Sequence, residues 1–214
     1  MDKFNVIFDI DGVIVDSEQL HFDVLCELAP DHTRDIQPQQ LIGLSLAETL
    51  SEIGVPLPEQ QGITDKIISV YQEKLSAHYL RPGVTRLIAA LQQNDIAFGF
   101  VSTAPRAVCL ANLGLLGLFD EPVLISGDDV ERTKPFPDPY LAMLKLKRMD
   151  VQQTLVIEDT DLGIAAAKQA GIPWVYAWPH DLSVAEQYGQ ATCIIGELTD
   201  IPQFSGINLL SAGC

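Results

Sequence analysis

Apolar residues along this chain fall into short unbroken runs, separated by longer stretches in which apolar positions recur at helical spacing. Val6-Ile7-Phe8, Ile96-Ala97-Phe98-Gly99-Phe100 and Leu155-Val156-Ile157 are runs of the first kind and read as buried strands. The pattern predicts strands near Asn5–Phe8, Ala97–Val101, Val123–Ile125, Thr154–Ile157, Trp174–Tyr176 and Thr192–Ile195. Between them, Leu87, Ile88, Ala90 and Leu91 make one apolar helix face, and Leu110, Leu113 and Leu116 make another. The stretch from Gly163 to Gly171 reads as an Ala-rich helix. Strands alternating with helices predict an α/β fold, a doubly wound parallel sheet.

That alternation fails between Val13 and Leu80, where no strand-like run occurs and the periodicity is helical. Segments Ser17–Leu28, Pro38–Ile53 and Pro58–Leu80 are expected to form three or four helices, with breaks at Pro30, Gly54-Val55-Pro56 and Gly62. Arg81-Pro82-Gly83 then returns the chain to the sheet. The expected organisation is an α/β core of residues 1–14 and 81–214, interrupted by a helical insert of residues 15–80.

Composition narrows the partners. With 29 acidic residues against 13 basic ones, the chain carries a formal charge of −16, which argues against nucleic acid or an anionic membrane surface. An anionic small molecule stays compatible where a bound cation, a lysine or helix N-termini make the potential locally positive. Cys26, Cys109, Cys193 and Cys214 are scattered without metal-site or redox spacing, so no disulfide framework is expected. Met1-Asp2-Lys3-Phe4 does not begin an export signal, and no apolar run reaches the length of a membrane span, so the expected location is the cytoplasm. A monomer or weak homo-oligomer is expected.

Chemistry enters where the strands end. Asp9 and Asp11 follow Val6-Ile7-Phe8 one residue apart. In a parallel sheet, residues just past a strand's carboxyl end line the ligand crevice, and side chains two apart on extended backbone share a side. Two carboxylates in one site can hold a hard divalent cation, while one attacks phosphorus and the other handles a proton. Val101-Ser102-Thr103 bring a hydroxyl and backbone N–H groups to a second strand end, which suits a phosphate. Lys134 stands before the proline-rich turn Pro135-Phe136-Pro137, and Glu158-Asp159 follow Leu155-Val156-Ile157. Taken singly, each has a plainer reading: a helix cap, a solvated surface charge, first-turn acids on a helix dipole. Their joint order, each behind a strand-like run, favours catalysis.

The opening pattern DxDGxxxDS, with the serine, lysine and acid-pair segments in that order, resembles the haloacid dehalogenase-like hydrolase superfamily. The resemblance covers Val6 to about Ile195, and the best match is its phosphoglycolate phosphatase and β-phosphoglucomutase-like branch. It implies a helical cap over the site, Mg²⁺ as cofactor, and a small phosphorylated metabolite as substrate. Asp9 is implied as nucleophile forming an aspartyl-phosphate, and Asp11 as acid and then base. Ser102, Thr103 and Lys134 are implied as phosphate ligands. Asp9, the Asp11 backbone carbonyl, Glu158 and Asp159 are implied around the metal, with Gly12 turning the backbone beneath the cap. Within the cap, His21, Leu44 and Lys74 are candidate substrate contacts.

Two departures from that family's pattern bear on activity. The cap segment Ile42-Gly43-Leu44-Ser45-Leu46 places leucine where the mutases of this branch carry an arginine for a second phosphate. Thr103-Ala104 lacks a second small polar residue that many members have. The expected activity is hydrolysis of a small phosphate monoester of the sugar-phosphate or phosphoglycolate type. A β-phosphoglucomutase-like mutase is the alternative, and a non-catalytic phosphometabolite-binding protein a third.

Overall fold

A computed structural model describes residues 4–118, 120–180, 182–183 and 187–207. Cys214 and the rest of the tail beyond Ile207 lie outside the described residues, as does Met1-Asp2-Lys3. Six parallel strands form one sheet in the order β3-β2-β1-β4-β5-β6. They are β1 (Asn5–Asp9), β2 (Phe98–Val101), β3 (Leu124–Ile125), β4 (Thr154–Glu158), β5 (Trp174–Ala177) and β6 (Cys193–Ile194). All six predicted strands are present, each within two residues of its expected bounds.

Eight α-helices lie along the described chain: α1 (Glu18–Leu28), α2 (Pro30–Thr33), α3 (Leu46–Glu52), α4 (Leu57–Lys74), α5 (Val84–Gln93), α6 (Arg106–Gly114), α7 (Asp138–Lys147) and α8 (Asp161–Gln169). One apolar layer joins Val6 and Phe8 of the sheet to Leu87 and Leu91 of α5 and Leu113 of α6. On the opposite face Ile7 and Val156 pack with Tyr140 and Met143 of α7 and Ile164 of α8. Alternate residues of β1 thus point into opposite layers, as period-two geometry requires, and both faces are buried.

The segment from α1 to α4 carries no strand among the described residues and has an apolar core of its own. Leu20, Val24 and Leu25 of α1 meet Leu50 of α3, and Ile67 and Tyr71 of α4, and Val108 of α6 joins the same cluster. These helices therefore rest on α6.

Three sequence expectations are corrected. Pro38–Ile53 is not one helix: a short 3₁₀ turn covers Pro38–Gln40, and α3 begins only at Leu46. Ser45 and Glu48 exchange side chain–backbone hydrogen bonds in a capping box, which starts α3 there. Gly62 does not break a helix but lies inside α4. A glycine costs a helix interior only about 1 kcal/mol, which the buried Ile67 and Tyr71 of the same helix outweigh. Leu110 is 38% exposed, because α6 buries Val108, Cys109, Asn112 and Leu113 instead. Among the described residues no helix is long and apolar enough to cross a membrane.

Candidate active site

The sheet order reverses at β1, with β2 on one side and β4 on the other, so their carboxyl ends sit side by side at the switch point where α/β folds bind ligands. Phe8 is level with Phe100 and Ile157, which brings Asp9, Ser102 and Glu158-Asp159 to one edge. Lys134 enters from the turn before α7. Its ammonium lies 2.6 Å from Asp9 Oδ1 and 2.5 Å from Glu158 Oε1, with all three side chains buried.

Asp9, Glu158 and Asp159 can each offer an oxygen within 4.8 Å of the others. Burial pushes the Asp9 carboxyl well above the usual range and the Glu158 charge adds to this, while Lys134 opposes it. Asp159 is raised likewise, by burial first and then by the charges of Glu158 and Glu18. The ammonium of Lys134 is raised too, since the charges of Asp9 and Glu158 outweigh its own burial.

Backbone at two glycines makes room for this cluster. Gly12 has φ +78°, and a Cβ there would overlap the Asp159 carboxylate. A Cβ on Gly163 would overlap the Glu158 carboxylate. Gly163 sits in the first turn of α8, where its N–H donates to the Thr160 hydroxyl that caps the helix. Neither oxygen of Asp159 accepts a directed hydrogen bond from the described residues, although His180 Nε2 stands 3.1 Å from Oδ2. Three crowded, buried acids with an under-satisfied carboxylate among them fit a hard divalent cation held through oxygen.

Asp11 is held differently. Its Oδ1 accepts from Ser17 Oγ at 3.2 Å and from Asn112 Nδ2 at 3.0 Å, and His21 Nε2 lies 3.1 Å away. Its Oδ2 accepts from Ser102 Oγ at 3.2 Å. Burial would raise this carboxyl, but the bonds and charge supplied by His21, with Ser102 and Ser17, outweigh it and hold the group below the usual range. His21 is correspondingly raised, its bond to Asp11 and that charge overcoming its burial.

Between sheet edge and helical segment lies a pocket of about 900 Å³ of empty space, part of it open to solvent. Asp9, Asp11, Ser102, Thr103, Lys134 and Asp159 line its floor, and His21 and Leu44 its walls. The structure therefore brings together most of the sequence-predicted residues. Gly12 lies beneath Asp159. Lys74 is not among the lining residues: it is exposed and bonded to Glu27 at 2.5 Å.

Sequence reasoning missed several residues. Asn112 is fully buried and accepts from Tyr71 Oη at 2.7 Å while it donates to Asp11. Tyr71 in turn stacks on His21, with ring centroids 4.2 Å apart. Glu18 lines the pocket, raised by burial, and Tyr140 Oη donates to Glu158. Arg81 lies over the Trp178 ring at 3.6 Å and donates to the carbonyls of Gly12, Trp178 and Pro179. One signal was available for Asn112: it is a polar residue four positions after Val108 on the face that α6 buries.

Comparison with known proteins agrees with this geometry. A family model described as haloacid dehalogenase-like hydrolase matches residues 6–177. A phosphorylated carbohydrates phosphatase of Thermotoga maritima is 30% identical over 189 residues, covering 83% of this chain and 86% of the relative. The phosphoglycolate phosphatase of Escherichia coli O157:H7 is 31% identical over 174 residues, covering 79% of this chain and 66% of the relative. Among solved structures, a β-phosphoglucomutase from Clostridium difficile matches with a TM-score of 0.79 at 21% identity, covering 93% of each chain, a likeness of fold.

Proposed function

This chain belongs to the haloacid dehalogenase-like hydrolase family, and from that premise we propose that its phosphatase site hydrolyses small organic phosphate monoesters through an aspartyl-phosphate on Asp9. The range considered is that of the relatives' names, from phosphorylated carbohydrates to phosphoglycolate. The observation that carries the reading is Asp9 itself: a buried carboxylate on the pocket floor, backed by Lys134 at 2.6 Å, with Asp11 lining the same pocket.

In the first step a carboxylate oxygen of Asp9 bonds to phosphorus while the bond from phosphorus to the ester oxygen breaks. Asp11, when protonated, gives that proton to the departing alkoxide, which leaves as the alcohol. In the second step water attacks the phosphorus of the aspartyl-phosphate and Asp11 takes its proton. Inorganic phosphate is released and the Asp9 carboxylate returns. Asp9, Glu158 and Asp159, with the Asp11 backbone carbonyl, would hold Mg²⁺, which supplies positive charge against the phosphoryl oxygens. Lys134 supplies a fixed positive charge, and Ser102 and the Thr103 backbone N–H are assigned to the non-bridging oxygens.

Residues 15–80 act in this proposal as a cap over a core of residues 1–14 and 81–214. The mutase alternative needs a cation for a second phosphate, and Leu46 lines the pocket at the cap position concerned. A cytoplasmic site of action accords with the free thiols of Cys26, Cys109 and Cys193.

The test is Mg²⁺-dependent phosphate release from sugar phosphates, phosphoglycolate, nucleotides and p-nitrophenyl phosphate, with Asp9→Asn as control. Release by the wild type alone, abolished by chelator, with acid-stable phosphate trapped on the protein at an acyl linkage, is the expected result. Isomerisation of a hexose 1-phosphate in the presence of its bisphosphate, without net release, would reinstate the mutase.

A further inference from the structure

Above the catalytic floor, most of the pocket wall is apolar. Phe22 and Leu25 of α1, Leu41 and Leu44 of the following loop, Leu46 at the start of α3 and Ile67 of α4 all line it. Among the described residues, only His21 and Lys134 on the lining can carry positive charge, and both are engaged. Lys134 is closed between Asp9 and Glu158, and His21 lies against Asp11. Lys74, the cation at the end of α4, is turned to Glu27 and lines no part of the pocket. The wall adds negative charge instead, because Glu18 faces the same space.

From this lining we infer that the alcohol half of the substrate is uncharged and largely apolar, so that the enzyme selects against monoesters bearing a second anionic group. The inference rests on the phosphate site proposed above and specifies what sits beside it. A carboxylate or second phosphate entering with the ester would surrender its hydration to leucine and phenylalanine side chains and face Glu18, with no free cation among the described lining residues to receive it. An alkyl, aryl or cyclic alcohol would instead gain by covering those side chains. Hydroxyl groups are tolerated where Glu18, Thr49 or Thr160, polar residues of the lining away from the floor, can accept their hydrogens. Within the range from carbohydrate phosphates to phosphoglycolate, the pocket therefore disfavours the glycolate end and any bisphosphate.

The experiment compares kcat/KM of the intact wild-type protein, in Mg²⁺, for esters matched in length. Butyl phosphate and 2-phenylethyl phosphate are set against 4-(phosphonooxy)butanoate, phosphoglycolate and a hexose bisphosphate, with p-nitrophenyl phosphate reporting the phosphatase chemistry. The neutral esters are expected to lead the carboxylated ones by about tenfold or more, the scale on which a pocket discriminates by a small group. Leu46→Arg, which adds a cation to the wall, is expected to narrow the ratio of butyl phosphate to its carboxylated analogue. Anionic esters turned over as well as the neutral ones, or an unchanged ratio in Leu46→Arg, would overturn the inference while leaving the hydrolase reading in place. If p-nitrophenyl phosphate and every other ester were inert, the hydrolase reading would fall first and take this inference with it.

Discussion

Replacing the proposed nucleophile should stabilise the metal-free protein while ending turnover. Asp9→Asn keeps the shape of the side chain and an oxygen to accept from Lys134, but removes one of three carboxylates that can lie within 4.8 Å of one another. At the outer limit of that separation and an effective dielectric of about 20, each fully charged like pair costs about 3.5 kcal/mol, hence about 7 kcal/mol for Asp9 against Glu158 and Asp159. Attraction to Lys134 at 2.6 Å returns about 6 kcal/mol on the same footing. The Coulomb sums nearly cancel, and what remains is the desolvation of a carboxylate only 5% exposed, several kcal/mol per buried ion. Proton uptake relieves part of this, since burial holds the Asp9 carboxyl well above its usual range. A net gain on the order of 2 kcal/mol is expected for Asp9→Asn in EDTA, which raises Tm by about 4–8 °C for a chain of this size. Calorimetry in EDTA measures the gain, and repeating it in Mg²⁺ measures the cation's own stabilisation, which should be smaller in the variant because one ligand has lost its charge. A variant equal to or less stable than wild type in EDTA would refute the view that Asp9 is held at a cost.

Three further substitutions probe the supports of the site. Gly12→Ala places a Cβ onto the Asp159 carboxylate at a backbone φ of +78°, so it should cost about 1–2 kcal/mol in left-handed strain and abolish the Mg²⁺-dependent rise in Tm, read by thermal denaturation with and without the ion. Asn112→Leu strands the Tyr71 hydroxyl and takes one donor from Asp11; stability should fall by about 1–3 kcal/mol in urea titration, with kcat lowered more than KM is raised. Arg81→Lys loses the stacking on Trp178 and the fork that reaches three carbonyls, and should cost about 2–4 kcal/mol, since an ammonium cannot span Gly12, Trp178 and Pro179 together.

The parts of the site legible in the sequence are those that strand geometry dictates. A buried strand leaves its first polar residues at the sheet edge, so Asp9, Ser102 and Glu158-Asp159 could be placed by noting where Val6–Phe8, Phe98–Val101 and Leu155–Ile157 stop. Lys134 corrects the expectation that each motif stands behind a strand-like run, since β3 ends at Ile125; its place before the Pro135-Phe136-Pro137 turn and its order among the other motifs single it out instead. Tyr71 is not legible in the sequence, and Asn112 only as a polar residue on the buried face of a helix, because each acquires its role from packing between α4 and α6, residues 41 apart in the chain. In the sequence Arg81 marks only the return from the helical insert, whereas its partners at Trp178 and Pro179 are nearly a hundred positions on. Gly62 continues α4 for the opposite reason, since tertiary burial of Ile67 and Tyr71 overrides its local propensity to break a helix.

The helical segment and the sheet meet chemically at Asp11. Ser17 and His21 approach it from the entry to α1, Ser102 from the end of β2 and Asn112 from α6, while Tyr71 of α4 acts through Asn112 and through its stack on His21. An oxygen ringed by donors is well placed as a carboxylate, the form that takes a proton from water. The opposite task, giving a proton to a departing alkoxide, requires the side chain to turn from those donors and present an O–H to the ester oxygen. Three of the residues that hold or support Asp11, namely Ser17, His21 and Tyr71, belong to the helical segment, and that segment also supplies the apolar walls of the pocket. A displacement of α1 and α4 relative to α6 would therefore change the contacts of the alcohol and the donors around Asp11 in one movement. On the proposed mechanism, selection of the leaving group and readiness to protonate it are properties of the same helices.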